Sequence, residues 1–344
     1  MCLDGGCQGP ARGTSGMLAG TGGAERSRGV QQDNSRAMLG TPISFGTLPG
    51  HDHPCENPVA TVVMTHGIGL GEWMFEPWIE TFHAWKLRVV TLTTPGHTPG
   101  EPDDRVRAVT LQTCVDGVVS VLSALPGPVV LLGHSMNGLV AQMIAARPDM
   151  QHLAGVVLLC PTPPGQILVL PDRTQLRHAL PLLPVARGRA AKPSFESYVA
   201  LGMNRMAEEV ARAAYERCVA WPPRLALALL RRPTVDPAAI TVPVLVAIGL
   251  HDRVFPWQKT RLLGDLYEGV VWRYDDLGHM PPMEPGGLRM ARDIARWCAE
   301  PTRPQVIESE GFGPTEGVGH LLRRARRGEL MKKRSAYGQK KAAR

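Results

Sequence analysis

Val129-Val130-Leu131-Leu132-Gly133-His134-Ser135-Met136-Asn137-Gly138 is the stretch that decides the fold. The apolar run 129–132, bounded by Pro128 and Gly133, reads as a buried strand. Beyond it Met136, Leu139, Val140, Met143 and Ile144 recur at the spacing of one helix face. Ser135 therefore falls on a sharp turn between strand and helix. Such a turn lifts the hydroxyl clear of the sheet and aims the first free N–H groups of the helix at the same point. The chain presents this serine as a nucleophile.

Outward from that stretch, Ala60-Thr61-Val62-Val63-Met64-Thr65 reads as a strand, followed by His66-Gly67-Ile68-Gly69. Phe75 to Trp85 is spaced as a helix, and Leu87 to Leu92 as a strand running into Thr94-Pro95-Gly96-His97. Val109 to Leu125 is an amphipathic helix with Leu111, Val115, Val118, Val119, Leu122 and Leu125 on one face. Further buried runs lie at Val156 to Leu159, Val244 to Ile248 and Val270 to Tyr274, and Leu288 to Cys298 reads as a closing helix. Strands apolar on both faces, alternating with helices, predict an α/β fold whose mostly parallel sheet is covered by helices on both faces. The alternation stops over residues 161–240, where Phe195 to Met203, Ala207 to Val219 and Leu225 to Leu230 read as helices broken by prolines. Roughly eighty residues are too many for a plain loop, so a helical cap insertion is expected there.

Composition narrows the class. With 44% apolar and 20% charged residues, the 344-residue chain can bury a sizeable core. No apolar stretch reaches the ~18 residues of a membrane helix, and the N-terminus has no apolar h-region. Cys2, Cys7, Cys55, Cys114, Cys160, Cys218 and Cys298 are odd in number and form no C-x-x-C, which excludes a disulfide framework or a zinc site as the default and places the protein in the cytoplasm. Residues 1–57 are rich in Gly, Ser and Pro and read as disordered, with order beginning near Asn57. Residues 301–344 form a basic tail: beyond Pro301 they hold eleven Lys/Arg against four Glu, while the rest of the chain is neutral.

A serine hydroxyl needs a general base within hydrogen-bond reach, and the base needs an orienting carboxylate. Asp252 lies just beyond the strand at 244–248, in Gly249-Leu250-His251-Asp252-Arg253-Val254-Phe255-Pro256. His279 lies just beyond the next strand, in Leu277-Gly278-His279-Met280-Pro281. Groups at the carboxyl ends of parallel strands converge on one crevice.

Together, the His66-Gly67 pair after the first strand, Pro95-Gly96-His97, the turn at Ser135, the Asp252 segment and Gly278-His279 resemble the alpha/beta-hydrolase superfamily of capped serine esterases, lipases and thioesterases. The resemblance spans roughly residues 58–300, and the chain order Ser135, Asp252, His279 matches it. It implies Ser135 as nucleophile, His279 as base, Asp252 as its orienter, and the backbone N–H groups of Ile68 and Met136 as an oxyanion hole. It implies no cofactor and no metal. The expected chemistry is attack on a carboxylic ester, thioester or activated amide through an acyl-enzyme. Acyl transfer, cyclisation or lyase chemistry on the same triad, or ligand binding without catalysis, remain the alternatives. One departure stands out: the family pattern G-x-S-x-G has Asn137 where its second glycine belongs, with Gly138 following. Asn137 then requires room and hydrogen-bond partners.

The cap leucines Leu180, Leu182, Leu183, Leu225, Leu227, Leu229 and Leu230 point to a small-molecule substrate with a hydrophobic acyl or ring portion. His66 is expected to brace its loop and His134 to serve structure or pocket shape. His51 and His53 lack a third metal ligand nearby. Trp73, Met74 and Trp78 either line the pocket mouth or, more commonly at such spacing, fill core. Gly67-Ile68-Gly69-Leu70-Gly71 lacks the spacing of a dinucleotide-binding loop, and no acid ends the following strand. The basic tail, with Arg323-Arg324, Arg326-Arg327 and Lys332-Lys333-Arg334, suits contact with nucleic acid or an acidic surface, and equally a solvated segment.

Overall fold

A computed structural model of the chain describes residues 40–301, apart from residue 44 and residues 180–182. The expected disorder of residues 1–39, the basic tail beyond residue 301, and Leu180 and Leu182 lie outside the described residues. Among the described residues eight strands make one sheet: β1 (Thr41–Pro42), β2 (Gly50–His53), β3 (Ala60–Thr65), β4 (Leu87–Leu92), β5 (Val129–His134), β6 (Gly155–Leu159), β7 (Val244–Gly249) and β8 (Val270–Tyr274). Their order is β1-β2-β4-β3-β5-β6-β7-β8. Every pair from β4 to β8 is parallel, while β1 and β2 run antiparallel at the edge.

The chain runs from β3 to β4 on one side and then returns to place β5 on the other side of β3. Strand order therefore reverses between β3 and β5, and their carboxyl ends open a crevice at that point. His66 and Gly67 leave β3 there, and Ser135 leaves β5.

Alternation along each strand divides the core in two. Val63, Val90, Leu131, Leu158 and Val246 face one cluster, built with α3 (Leu111–Leu122) and α4 (Met136–Ala145). Val62, Met64, Val89, Val130, Leu132 and Val157 face the other. That second face is covered by a 3-10 turn at Glu72–Trp78, by α1 (Ile79–His83), and by α12 (Gly287–Ala299). Met74, Phe75, Trp78 and Phe82 are fully buried in it, so the aromatic cluster is core. The helix expected from Val109 begins instead at Leu111. Thr110 and Thr113 exchange side-chain and backbone hydrogen bonds as a capping box, which leaves Val109 extended. No helix among the described residues is long and apolar enough to cross a membrane.

Residues 40–57 correct an expectation. Their composition predicts disorder, but β2 pairs along its whole length with Val89 to Leu92 of β4, and β1 pairs with β2. Local propensity is poor there; tertiary partners supply the order. Arg88 grips both oxygens of Asp52 at 2.8 and 2.7 Å, His53 meets the Thr91 hydroxyl, and Leu48 packs against Gly117. His51 donates to Glu72 at 2.8 Å. No cluster of three potential metal ligands occurs among the described residues.

Between β6 and β7 the chain makes α5 (Arg173–Ala179), α6 (Leu183–Ala186), α7 (Phe195–Leu201), α8 (Glu208–Arg217) and α9 (Pro223–Leu230). A single bridge pair joins Ala191 and Trp221. The remaining helices are α2 (Asp103–Ala108), α10 (Trp257–Thr260) and α11 (Leu262–Tyr267).

Where β5 turns into α4, backbone meets backbone. A Cβ added at Gly133 would lie 2.2 Å from the Asn137 carbonyl oxygen, and one at Gly138 would lie 2.5 Å from Pro161. Replacement Gly133→Ala is expected to destabilise the fold by about 1–3 kcal/mol through this overpacking, read as a lower urea midpoint.

Candidate active site

Ser135 caps α4 with φ +54° and ψ −117°, a combination L-residues rarely adopt. Three backbone hydrogen bonds hold it there. Its N–H donates to the Leu159 carbonyl at 3.0 Å, and its carbonyl accepts from Gly138 at 2.9 Å and from Thr162 at 2.8 Å. The neighbouring strand β6, the loop after it and the first turn of α4 thus fix the turn, and the side chain lines the crevice.

The structure brings Asp252 and His279 to that side chain. His279 Nδ1 lies 2.8 Å from Asp252 Oδ2, and His279 Nε2 lies 2.9 Å from Ser135 Oγ. A carboxylate only accepts, so the ring proton sits on Nδ1 and Nε2 offers its lone pair to the hydroxyl. Asp252 Oδ1 meanwhile accepts from the N–H groups of Val254 and Phe255 at 2.8 and 2.9 Å, which locks the carboxylate in place. All three residues are buried. The arrangement can withdraw a proton from Ser135 and hold the resulting imidazolium against a carboxylate.

The loop after β3 packs against the same turn. A Cβ at Gly67 would lie 2.9 Å from the Cβ of Ser135, so only glycine lets the loop come this close. Neither the Ile68 nor the Met136 amide has a carbonyl partner among the described residues, and Met136, as the first residue of α4, has none within its helix. Asn137 Nδ2 donates to the His66 carbonyl and lies 3.4 Å from the Thr94 hydroxyl. The residue that departs from G-x-S-x-G therefore ties α4 to the loops after β3 and β4. Oδ1 of Asn137 is buried without a partner.

His66 is a brace. Its Nδ1 donates to the Gly67 carbonyl at 2.8 Å, and its Nε2 accepts from the Thr94 N–H at 3.2 Å, which fixes a neutral tautomer. His134 turns away from Ser135: its Nε2 donates to the carbonyl of His279 at 2.8 Å. Glu284, which no motif singles out, accepts from the N–H groups of Gly278 and Met280.

A cavity of about 110 Å³ opens beside Ser135 and His279. Ile68, Leu70, Tyr198, Leu201, Trp221, Val254 and Met280 give it apolar walls, and His178 and Ser197 supply a polar corner. Of the cap leucines among the described residues, Leu183, Leu225, Leu227, Leu229 and Leu230, none lines it. Leu225 is buried in the core, and Leu183 and Leu230 are exposed, because α6 and α9 turn their faces elsewhere. The lining residues carry no motif; only the path of the insertion brings them together. A larger cavity of about 530 Å³ shares Leu70 and is lined by His51, Glu72, His97 and Arg217 among others, but neither Ser135 nor His279 reaches it.

Burial sets the charge state of the histidines around the site. His66 is pushed down to about 3 by burial, with His97 adding to the effect, and burial pushes His97 down to about 4. Burial also holds His134 well below its ordinary value. Unfolded, each ring takes up a proton near 6.5, so between pH 6.5 and 4 the unfolded chain binds more protons than the fold. The stability from these rings is complete above about pH 6.5 and is lost as pH falls. Urea midpoints at pH 7, 6 and 5 should fall progressively, and His97→Gln should reduce the slope.

The model of the "Alpha/beta hydrolase family" matches residues 62–291. No curated protein matches the chain. Among solved structures, a pyrethroid hydrolase from Sphingobium faniae JZ-2 is similar at 23% identity and a TM-score of 0.58, covering 70% of this chain and 98% of that one. A thermophilic esterase from Thermogutta terrifontis is similar at 22% identity and a TM-score of 0.55, covering 75% and 97%. An esterase from Exiguobacterium antarcticum reaches a TM-score of 0.61 at 16% identity, covering 76% and 99%. At these identities the solved structures speak for the fold, and the family match over two thirds of the sequence carries the assignment: the chain belongs to the alpha/beta hydrolase family.

Proposed function

We propose that the protein is a serine hydrolase of the carboxylesterase type, with Ser135, His279 and Asp252 as its catalytic triad. The observation that carries this reading is the unbroken chain from Ser135 Oγ to His279 at 2.9 Å and on to Asp252 at 2.8 Å. Ser135 Oγ attacks the ester carbonyl carbon while His279 Nε2 takes the hydroxyl proton. The carbonyl oxygen becomes an oxyanion, which the amides of Ile68 and Met136 receive. Collapse breaks the bond to the leaving alkoxide, which takes the proton from His279. Water, deprotonated by the same ring, then releases the acid from Ser135. Membership of the hydrolase family supports a hydrolytic outcome.

The insertion between β6 and β7 acts as the cap and sets the acyl preference. Its cavity of about 110 Å³ is apolar and smaller than the roughly 150 Å³ that admits a benzene ring. A short, uncharged acyl group fits it.

A fluorophosphonate probe should label the wild-type protein, and Ser135→Ala and His279→Ala should abolish labelling. Turnover in Ser135→Ala should fall by about 10⁴-fold or more. Absence of labelling in folded wild-type protein would refute the assignment. Among p-nitrophenyl esters, acetate and butyrate should be cleaved with a far higher kcat/KM than palmitate; the reverse order would refute the short-acyl reading.

A further inference from the structure

We propose that Glu284 is a positioning residue for His279: its carboxylate holds the two amides that flank the histidine, and its charge favours the protonated ring formed during the reaction. The inference rests on the reading of His279 as general base.

Glu284 lies at the end of a 3-10 turn, Pro281–Met283, five positions beyond His279. It folds back so that Oε2 accepts from the Gly278 N–H at 2.5 Å and Oε1 from the Met280 N–H at 2.9 Å. Only 6% of the residue is exposed. Burying a carboxylate is costly unless hydrogen bonds replace water, and here both oxygens are engaged. Gly278 makes the room: a Cβ there would lie 3.0 Å from Glu284 Oε1.

The backbone around His279 is thereby held at four points. Glu284 holds the amides before and after it, His134 Nε2 donates to its carbonyl at 2.8 Å, and Cys160 Sγ donates to the Gly278 carbonyl at 3.4 Å. A ring that must meet Asp252 and Ser135 at once tolerates little drift, since displacement by about 1 Å can cost 10²-fold in rate.

Charge requires a carboxylate at this position and excludes its amide. Two N–H donors demand two acceptors, and a glutamine would set its own NH₂ against one of them. Burial pushes the Glu284 carboxyl up, while the two amides and His279 draw it back. The other titratable or charged groups around this loop are Asp252 after β7, buried neutral Cys160 after β6, neutral His134 at the end of β5, and Arg205, whose Nε donates to the Asp276 carbonyl. Asp276 itself pairs with Arg289 of α12. Asp252 thus meets the imidazole directly, while Glu284 acts on the same residue through the flanking amides and through its charge.

Glu284→Gln keeps the volume and removes the charge. Its kcat on p-nitrophenyl butyrate should fall by about tenfold or more with KM within about twofold. The acid limb of kcat/KM should move to lower pH by about half a pH unit or more, because a cationic ring has lost a negative neighbour. Glu284→Asp retains charge but not reach, and should return the limb to its wild-type position with kcat still reduced. A folded Glu284→Gln with wild-type kcat overturns the proposal, and so does a reduced kcat with an unmoved limb, the mark of a purely structural staple. Should Glu284→Gln fail to fold, a wild-type kcat in Glu284→Asp overturns it. NMR titration of labelled histidines needs no turnover: displacement of the His279 titration to lower pH in Glu284→Gln is expected, and an unmoved titration overturns the proposal. Failure of the wild type to label with fluorophosphonate would strike the esterase reading instead, and leave the titration decisive.

Discussion

Ser135 occupies a backbone conformation that costs roughly 1–3 kcal/mol wherever the surroundings do not impose it, and the surroundings here are built to impose it. Its N–H is spent on Leu159 and its carbonyl is shared between Gly138 and Thr162. Relaxing the angle would break bonds to β6, to the loop behind it and within α4 together. Around the same turn side chains are missing at Gly133, which abuts the Asn137 backbone, at Gly138, which abuts Pro161, and at Gly67, which abuts Ser135 itself. Once the turn is fixed, the hydroxyl has one outlook, and the residues beyond β7 and β8 have one place to meet it.

Around that turn His66, His97 and His134 are buried, and burial holds each of them neutral. Carbonyl oxygens select the tautomer: those of Gly67 and His279 each claim a ring proton from a histidine and so settle which nitrogen is left. The result is a site whose three nearby histidines are neutral and directional. Burial that would be a liability for a lone charge here keeps competing bases silent.

Much of this was legible in the sequence. Strands β3, β5, β6 and β7 are predominantly apolar and buried throughout because both faces of a parallel sheet are covered, and that pattern survives without knowledge of the partner strands. Ser135, Asp252 and His279 could be placed because each follows a run that reads as a strand. The edge strands could not: Gly50–His53 is polar and short, and acquires its conformation from β4 and from Arg88. Asn137 was recognisable as a departure, but its partners on His66 and Thr94 come from two other loops. The cap leucines misled because hydrophobicity says that a residue is buried or unpartnered, and not which cavity it faces. Tyr198 and Trp221, which do line the cavity, are separated by a helix and two loops and meet only in space.

The contact between the insertion and the loop after β3 has a mechanical consequence. Gly69, at φ +73°, leaves space for the Trp221 indole and the Tyr198 hydroxyl, which bond to each other at 3.0 Å, and its carbonyl accepts from the Val219 N–H at 2.9 Å. Insertion and loop are therefore one stitched unit at this end of the crevice. Lifting the insertion here would pull on the strand-end backbone one residue from the Ile68 amide. The insertion is stitched to the body on the other side as well, where Gln175 Nε2 donates to the carbonyls of Arg253 and Val254 at 2.9 and 2.8 Å, so opening either end breaks hydrogen bonds to strand-end loops.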